Sequence, residues 1–302
     1  MIAKRASIEL GSGCIRLQVA EVANEKIVNV LHIQTIHVEF ARDLKLGLLD
    51  HFSQDIMDEA VAILHTLKEK ALSFAPTTIV GIATEAFRAS ANAALLIARI
   101  YHEVGITIKI ATHEEEASYG FFNAKSLSDL DESTFISWDT GAGSFQITSC
   151  DAMYLGRFGR VPVEHYIIET LQKKDFGKTP SANPVSENHA LQAISHITQE
   201  LEKSKERLPK NLHEKTVIAI GAHPKQIPIG ARFSPDEIKT HLYDSLNKSD
   251  ECFNDPDARF LVIDLILAYS VMTSLNIPHA VRYSTKLAGN TSGLLIHPAL
   301  WV

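Results

Sequence analysis

Two turns in this chain bring together residues able to hold a charged ligand. In Phe135-Ile-Ser-Trp-Asp-Thr-Gly-Ala-Gly-Ser-Phe-Gln-Ile-Thr148 an apolar strand ends in Asp139. Gly141-Ala142-Gly143-Ser144 then turns the backbone into a second strand. Glycines in such a turn allow positive φ and expose successive N–H groups, which together form an anion-binding concavity. An acid just ahead of the turn is placed to hold a divalent cation beside that anion. A shorter version lies near the N-terminus, in Ser7-Ile-Glu-Leu-Gly-Ser-Gly-Cys-Ile-Arg-Leu17, where Glu9 stands two residues before Gly11-Ser12-Gly13. The repetition points to two half-molecules facing each other across one phosphate. Ser12, Gly13, Gly141, Ala142, Gly143 and Ser144 are the phosphate-binding candidates, and Asp139 and Glu9 the metal candidates.

Other chemistries are disfavoured. The chain of 302 residues has no GxGxxG and no GxxxxGK[ST], which argues against Rossmann and P-loop nucleotide binding. Its 14 histidines show no HExxH pattern, and Cys14, Cys150 and Cys252 are too scattered for a zinc site or a disulfide framework. A net charge of −7 argues against nucleic acid as a partner but leaves room for a polyanion held by a local cluster of Arg, Lys and metal. The apolar run from Phe260 to Leu275 is interrupted by Asp264, Ser270 and Thr273, so no membrane span is expected. The N-terminus does not read as a signal peptide, and the free cysteines favour a reducing compartment; a cytoplasmic protein is expected.

The elements that must position these residues follow from periodicity. Apolar alternation at Ala6, Ile8, Leu10 and at Ile15, Leu17, Val19 predicts a hairpin, with a third strand from Ile27 to Phe40. The segment Arg42 to Asp50 reads as a loop. Ser53 caps a helix with Ile56, Ala60, Ile63, Leu67 and Ala71 on its apolar face. After a strand from Thr78 to Ala83, Thr84 to Asn92 reads as a loop whose last residue caps a helix from Ala93 to Val104. Thr112-His-Glu-Glu115 has capping-box spacing, which places Glu114, Glu115 and Glu116 in the first turn of the next helix. The polar stretch Ser126 to Ser133 is the expected crossover, giving domains 1–126 and 127–302, with the last helix, near Ser292 to His297, allowed to pack back on the first. The second half repeats the pattern: three strands, a helix begun at Pro162, a helix from Ser186 to about Leu208, a strand Thr216 to Ile220, and a helix begun by Ser234-Pro-Asp-Glu237. An apolar helix from Arg259 to Leu275 and a strand from Ala280 to Tyr283 follow.

With these residues in order, the chain resembles the exopolyphosphatase/guanosine pentaphosphate phosphohydrolase (Ppx/GppA) family, of the actin, sugar kinase and Hsp70 ATPase-like superfamily. Glu9-Leu-Gly-Ser-Gly-Cys14 stands on the family's Asp-hydrophobic-Gly-Ser-Asn-Ser. Thr84-Glu-Ala-Phe-Arg-Ala-Ser-Ala-Asn92 stands on Thr-x-Ala-x-Arg-x-Ala-x-Asn. Glu115-Glu116-Ala117 stands on Glu-Glu-Ala, and Asp139 to Gln146 on Asp-Ile-Gly-Gly-Gly-Ser-Thr-Glu. The resemblance implies an α/β fold of two RNase H-like domains flanking a phosphate-binding cleft. It also implies Mg²⁺-dependent hydrolysis of terminal phosphate from inorganic polyphosphate or guanosine penta/tetraphosphate. It casts Glu116 as the general base, Asp139 as the metal-binding or water-orienting acid and Arg88 as a phosphate ligand. Crowding by Glu114 and Glu115 is expected to raise the Glu116 pKa. Glu9, Gly13, Cys14 and Gln146 depart from the pattern, as do Gly221-Ala-His-Pro-Lys225 and Asn290 to Leu295. A binding regulator without hydrolysis is therefore carried as the alternative, and an ATP-dependent kinase as a more remote one. The reading is compatible with a homodimer.

Overall fold

The structure, a computed structural model, describes residues 2–46, 50–128, 130–203, 208–209, 212–283 and 290–301. It divides into two compact units, Met1–Leu130 with Thr285–Val302, and Asp131–Ser284.

The first unit is built on a five-stranded mixed sheet. Strands β1 (Ala3–Leu10), β2 (Cys14–Ala23) and β3 (Lys26–His37) form an antiparallel meander. Strand β4 (Ile79–Ala83) returns parallel to β1, and β5 (Ile108–Ile110) parallel to β4, giving the order β3-β2-β1-β4-β5. The alternation read from sequence is explained by burial: Ile8, Leu10, Ile15 and Leu17 enter one core with Leu64 and Leu67 of α2 (Gln54–Leu72). Ser53 caps α2 by accepting from Ile56 N at 3.3 Å. Two short helices stand where loops were expected. Helix α1 (Phe40–Leu46) occupies most of the Arg42–Asp50 stretch, of which 47–49 lie outside the described residues, and α3 (Glu85–Ala89) occupies the Thr84–Asn92 stretch. Phe40 and Phe87 bury their rings against each other at 4.9 Å, and this packing stabilises helices too short to be read from periodicity. Asn92 does not cap α4 (Ala93–Arg99) with its side chain; its amide instead receives from Phe52 N at 2.8 Å and donates to Phe52 O at 3.0 Å. Helix α5 (His113–Leu127) begins with the expected capping box, Thr112 and Glu115 bonding each other's backbone N–H.

The second unit repeats the plan. A meander of β6 (Phe135–Thr140), β7 (Phe145–Thr148) and β8 (Met153–Gly156) is followed by α6 (Arg160–His165), α7 (Glu187–Glu202) and β9 (Thr216–Gly221), the last parallel to β6. The end expected for α7, near Leu208, falls partly on 204–207, outside the described residues. Then come β10 (Arg232–Phe233), α8 (Pro235–Ser245), α9 (Ala258–Ser274) and β11 (Ala280–Arg282). The order β10-β11-β9-β6-β7-β8, read from β8 inward, is that of the first sheet with β10 added at the edge. Two α/β units of this strand order are the fold class expected. Among the described residues no helix is long and apolar enough to cross a membrane.

Helix α10 (Thr291–Ile296) belongs to the first unit. Ser7 Oγ donates to Thr291 O at 3.0 Å, and Gln18 Oε1 accepts from the hydroxyls of Thr291 and Ser292 at 2.9 and 2.8 Å. Gly293 lets α10 meet α5 closely: a Cβ there would press on the Tyr119 carbonyl and stand 2.9 Å from Asn123 N.

Candidate active site

In the first unit the β1–β2 turn and the N-termini of α3 and α5 converge. The turn closes with Gly11 N donating to the Cys14 carbonyl at 2.9 Å, and Ser12 Oγ accepts from Ala86 N at 3.1 Å, fastening the turn to α3. The backbone N–H groups of Ser12 and Gly13 have no protein acceptor among the described residues. Glu9, at the end of β1, is 3% exposed, and its two oxygens accept from Asn290 N and Asn290 Nδ2, both at 2.9 Å, and from Arg16 Nη1 at 3.2 Å. The extra methylene relative to the family's Asp thus reaches a partner in the C-terminal segment.

Arg88 lies one turn beyond Glu85 on α3. Its Nε and Nη2 donate to Glu85 Oε2 at 3.2 and 2.7 Å, its Nη1 to Ala111 O at 2.9 Å, and its Nη2 also to Glu116 Oε2 at 2.6 Å. Four of its five N–H groups are therefore taken. Burial works against the guanidinium charge, but Glu116 and Glu85 outweigh it and hold the Arg88 pKa above its ordinary value.

Glu116 is buried in the first turn of α5. Its carboxyl is pushed up to about 7: burial is the largest cause, Arg88 opposes it, and the charges of Glu9 and Glu85 add to it. The direction is the one expected, but the cause differs. Glu114 and Glu115 are turned to other partners, Glu115 to Lys109 and the Thr112 backbone, and both carboxyls are lowered. The groups that matter come from β1 and α3.

In the second unit the Gly141–Ser144 turn closes with Gly141 N donating to Ser144 O at 2.8 Å. The carbonyls of Gly141 and Ala142 accept from Arg160 N and Val161 N, at 3.4 and 2.9 Å, so the start of α6 takes up the acceptors of the turn. Gly159 makes that approach feasible, since a Cβ there would stand 2.5 Å from the Ala142 carbonyl oxygen. The N–H groups of Ala142, Gly143 and Ser144 have no protein acceptor among the described residues. Donors left over and acceptors consumed make this loop an anion nest. Glycine earns its place differently from the expectation. Neither Gly11 nor Gly141 is left-handed, and a Cβ at either would sit 3.3 Å from Cys14 O or 3.2 Å from Ser144 O. Beside this loop a positive φ is found at Gly221, at 81°, in the turn after β9.

Asp139 is buried at the end of β6, opposite Gln146 in the β6–β7 register. A Cβ on Gly221 would stand 2.6 Å from its Oδ1. Gln146 Nε2 donates to Ser144 Oγ at 3.1 Å, so the residue that replaces the family's acid orients the hydroxyl of the loop. Beside them His223 stacks edge-on to Trp138 at 4.5 Å, and burial drives its pKa down to about 3, which keeps it neutral. Arg160 grips the buried Asp264 through Nε at 2.7 Å and Nη2 at 2.5 Å, pinning α6 to α9; burial raises the Asp264 pKa against the pull of Arg160. Sequence reasoning missed Glu85, Asn290, Arg160 and Asp264. Only Glu85 left a local signal, an acid one helical turn ahead of Arg88.

Among the described residues no group of three or more His, Cys, Asp or Glu side chains could hold a metal ion. Glu9 is already bonded to three N–H donors, and Asp139 is the other carboxylate that the sequence marked for a cation. One carboxylate fits Mg²⁺ carried with its phosphate ligand, because that ion keeps waters and phosphate oxygens in most of its positions.

Residues 18–156 match the Ppx/GppA phosphatase family. No curated protein matches by sequence alone. Among solved structures, a Ppx/GppA family member from Aquifex aeolicus shares 19% identity and a TM-score of 0.75, covering 99% of this chain and 98% of its own. An exopolyphosphatase from Cytophaga hutchinsonii shares 15% identity and a TM-score of 0.76, over 98% of this chain and 97% of its own. An exopolyphosphatase-like protein gives 14% and 0.79 over the same shares. The resemblance read from the motifs is borne out: the chain matches the Ppx/GppA phosphatases by sequence over residues 18–156 and has the fold of their solved members along nearly its whole length.

Proposed function

We propose that the protein is a phosphohydrolase that releases terminal phosphate from inorganic polyphosphate or guanosine pentaphosphate. The observation that carries this reading is Glu116: a buried carboxyl raised to about 7 and hydrogen-bonded to an arginine, on a chain that matches a phosphatase family. A base titrating near the working pH is the one that transfers protons most effectively. Glu116 takes the proton of the attacking water as its oxygen bonds to the terminal phosphorus. The bridging P–O bond breaks, leaving orthophosphate and a substrate one phosphate shorter. The N–H groups of Ala142, Gly143 and Ser144 hold phosphoryl oxygens, and backbone donors fixed in advance cost no reorganisation during the reaction. Asp139 would hold a Mg²⁺ ion, which when bound supplies neutralisation of phosphoryl charge.

The test is Mg²⁺-dependent phosphate release from polyphosphates of several lengths, guanosine pentaphosphate and ATP, measured side by side. Release from the first two that is lost in Glu116→Gln supports the reading, and unchanged turnover in that variant removes Glu116 from it. One observation favours a second reading, a binding regulator: Gln146 is neutral and engaged with Ser144, so the loop lacks the family's second acid. Tight binding of polyphosphate without any release would select it.

A further inference from the structure

The charges around Glu116 do not balance in pairs. Glu9 of β1 faces Arg16 of β2 at 3.2 Å and has the two Asn290 donors besides. Glu85 holds Arg88 by two N–H groups from the same helix, one turn away. Glu116 shares one arginine with Glu85: it accepts from Arg88 Nη2, a nitrogen that also serves Glu85. On its own helix, Glu115 is paired with Lys109 of β5, while Glu114 and His113 stand in the same first turn. Were Arg88 free to pair with Glu116 alone, the two would form a permanent ion pair, and a carboxylate so paired is a poor proton acceptor.

We propose that Glu85 is a positioning residue: by engaging the Nε and Nη2 edge of Arg88 it divides that guanidinium between two acids, so that Glu116 stays able to accept a proton. The proposal rests on the reading of Glu116 as the base. Its geometry favours the role, since Glu85 and Arg88 are locked on one helical turn and Glu116 reaches them from another element. The side chain of Glu85 is about one-third exposed, at 35%, whereas that of Glu116 is 10% exposed. Substrate or water can therefore change the environment of the pair from the Glu85 side. Glu85 occupies a position left open in the Thr-x-Ala-x-Arg pattern.

The experiment compares wild type, Glu85→Gln, Glu85→Ala and Glu85→Asp in two ways. The first is the pH profile of kcat/KM for phosphate release from polyphosphate. The second is the titration of the Glu116 carboxyl carbon in glutamate-labelled protein, with Glu116→Gln identifying its resonance. Removing the Glu85 charge should lower both the acid limb and the carboxyl titration, by less than about one pH unit, because burial and Glu9 still hold the carboxyl up. Glu85→Asp should leave both near wild type. A merely structural role for Glu85 would lower the rate at every pH without moving either midpoint, and that result overturns the proposal. The two readings fail separately. A carboxyl titration that shifts while no variant, wild type included, releases phosphate supports the role of Glu85 and overturns the proposed hydrolase. Phosphate release with an unmoved carboxyl titration does the reverse.

Discussion

Replacing Glu116 by Gln should lower activity and make stability relative to wild type rise with pH. The carboxyl rises from an ordinary value of 4.5 to about 7 in the fold. Below the ordinary value both folded and unfolded chains hold the proton, and Glu116 contributes no pH dependence. Between 4.5 and about 7 the unfolded carboxyl releases its proton while the folded one retains it, so stability falls as pH rises through that window. Above it the full cost is present, about 3 kcal/mol at 1.36 kcal/mol per unit. Glutamine does not titrate, and groups that do not interact with Glu116 cancel in the comparison. The stability of Glu116→Gln relative to wild type should therefore increase by about 3 kcal/mol from pH 4 to pH 8, or roughly 6 °C or more in the melting temperature of a unit of this size. Thermal unfolding of both proteins across that range measures it, and phosphate release by the variant should be lower by a factor of about 10² to 10⁴. Melting curves that shift in parallel at every pH would refute the raised pKa, and with it the argument that burial prepares Glu116 as a base.

Three other substitutions probe the supports. Gly221→Ala forces a side chain into a left-handed position and against the Thr140 carbonyl and Asp139 Oδ1; it should cost about 2 to 4 kcal/mol in denaturant unfolding and depress phosphate release without moving the Glu116 titration. Gly293→Ala should push α10 off α5, read as faster proteolysis of the C-terminal segment and a loss of about 2 kcal/mol or more. Arg160→Met leaves Asp264 buried and unpaired, at about 3 to 5 kcal/mol; a further Asp264→Leu should restore much of it, as chemical denaturation of the single and double variants will measure.

What could be read from the chain divides by range. Strand alternation, the caps at Ser53 and Ser186 and the two capping boxes depend on residues a few positions apart, and all stand as read. Helices α1 and α3 were invisible because tertiary packing of Phe40 and Phe87, not an amphipathic repeat, holds them. The electrostatics of Glu116 were assigned to its sequence neighbours, although the groups that act on it sit on β1 and α3. The departures from the family pattern are the clearest case. Compared position by position, Glu9 and Gln146 count only as a longer acid and a lost one. In the fold, Glu9 reaches Asn290, 281 residues away, and Gln146 donates to Ser144, which the turn before its strand presents. Asn290 opens the very segment whose own family motif is missing, so two departures at opposite ends of the chain complete one another through a pair of hydrogen bonds. A substitution at a motif position therefore has to be judged with its new partner, and for Glu9 that partner is the residue that opens the C-terminal helix.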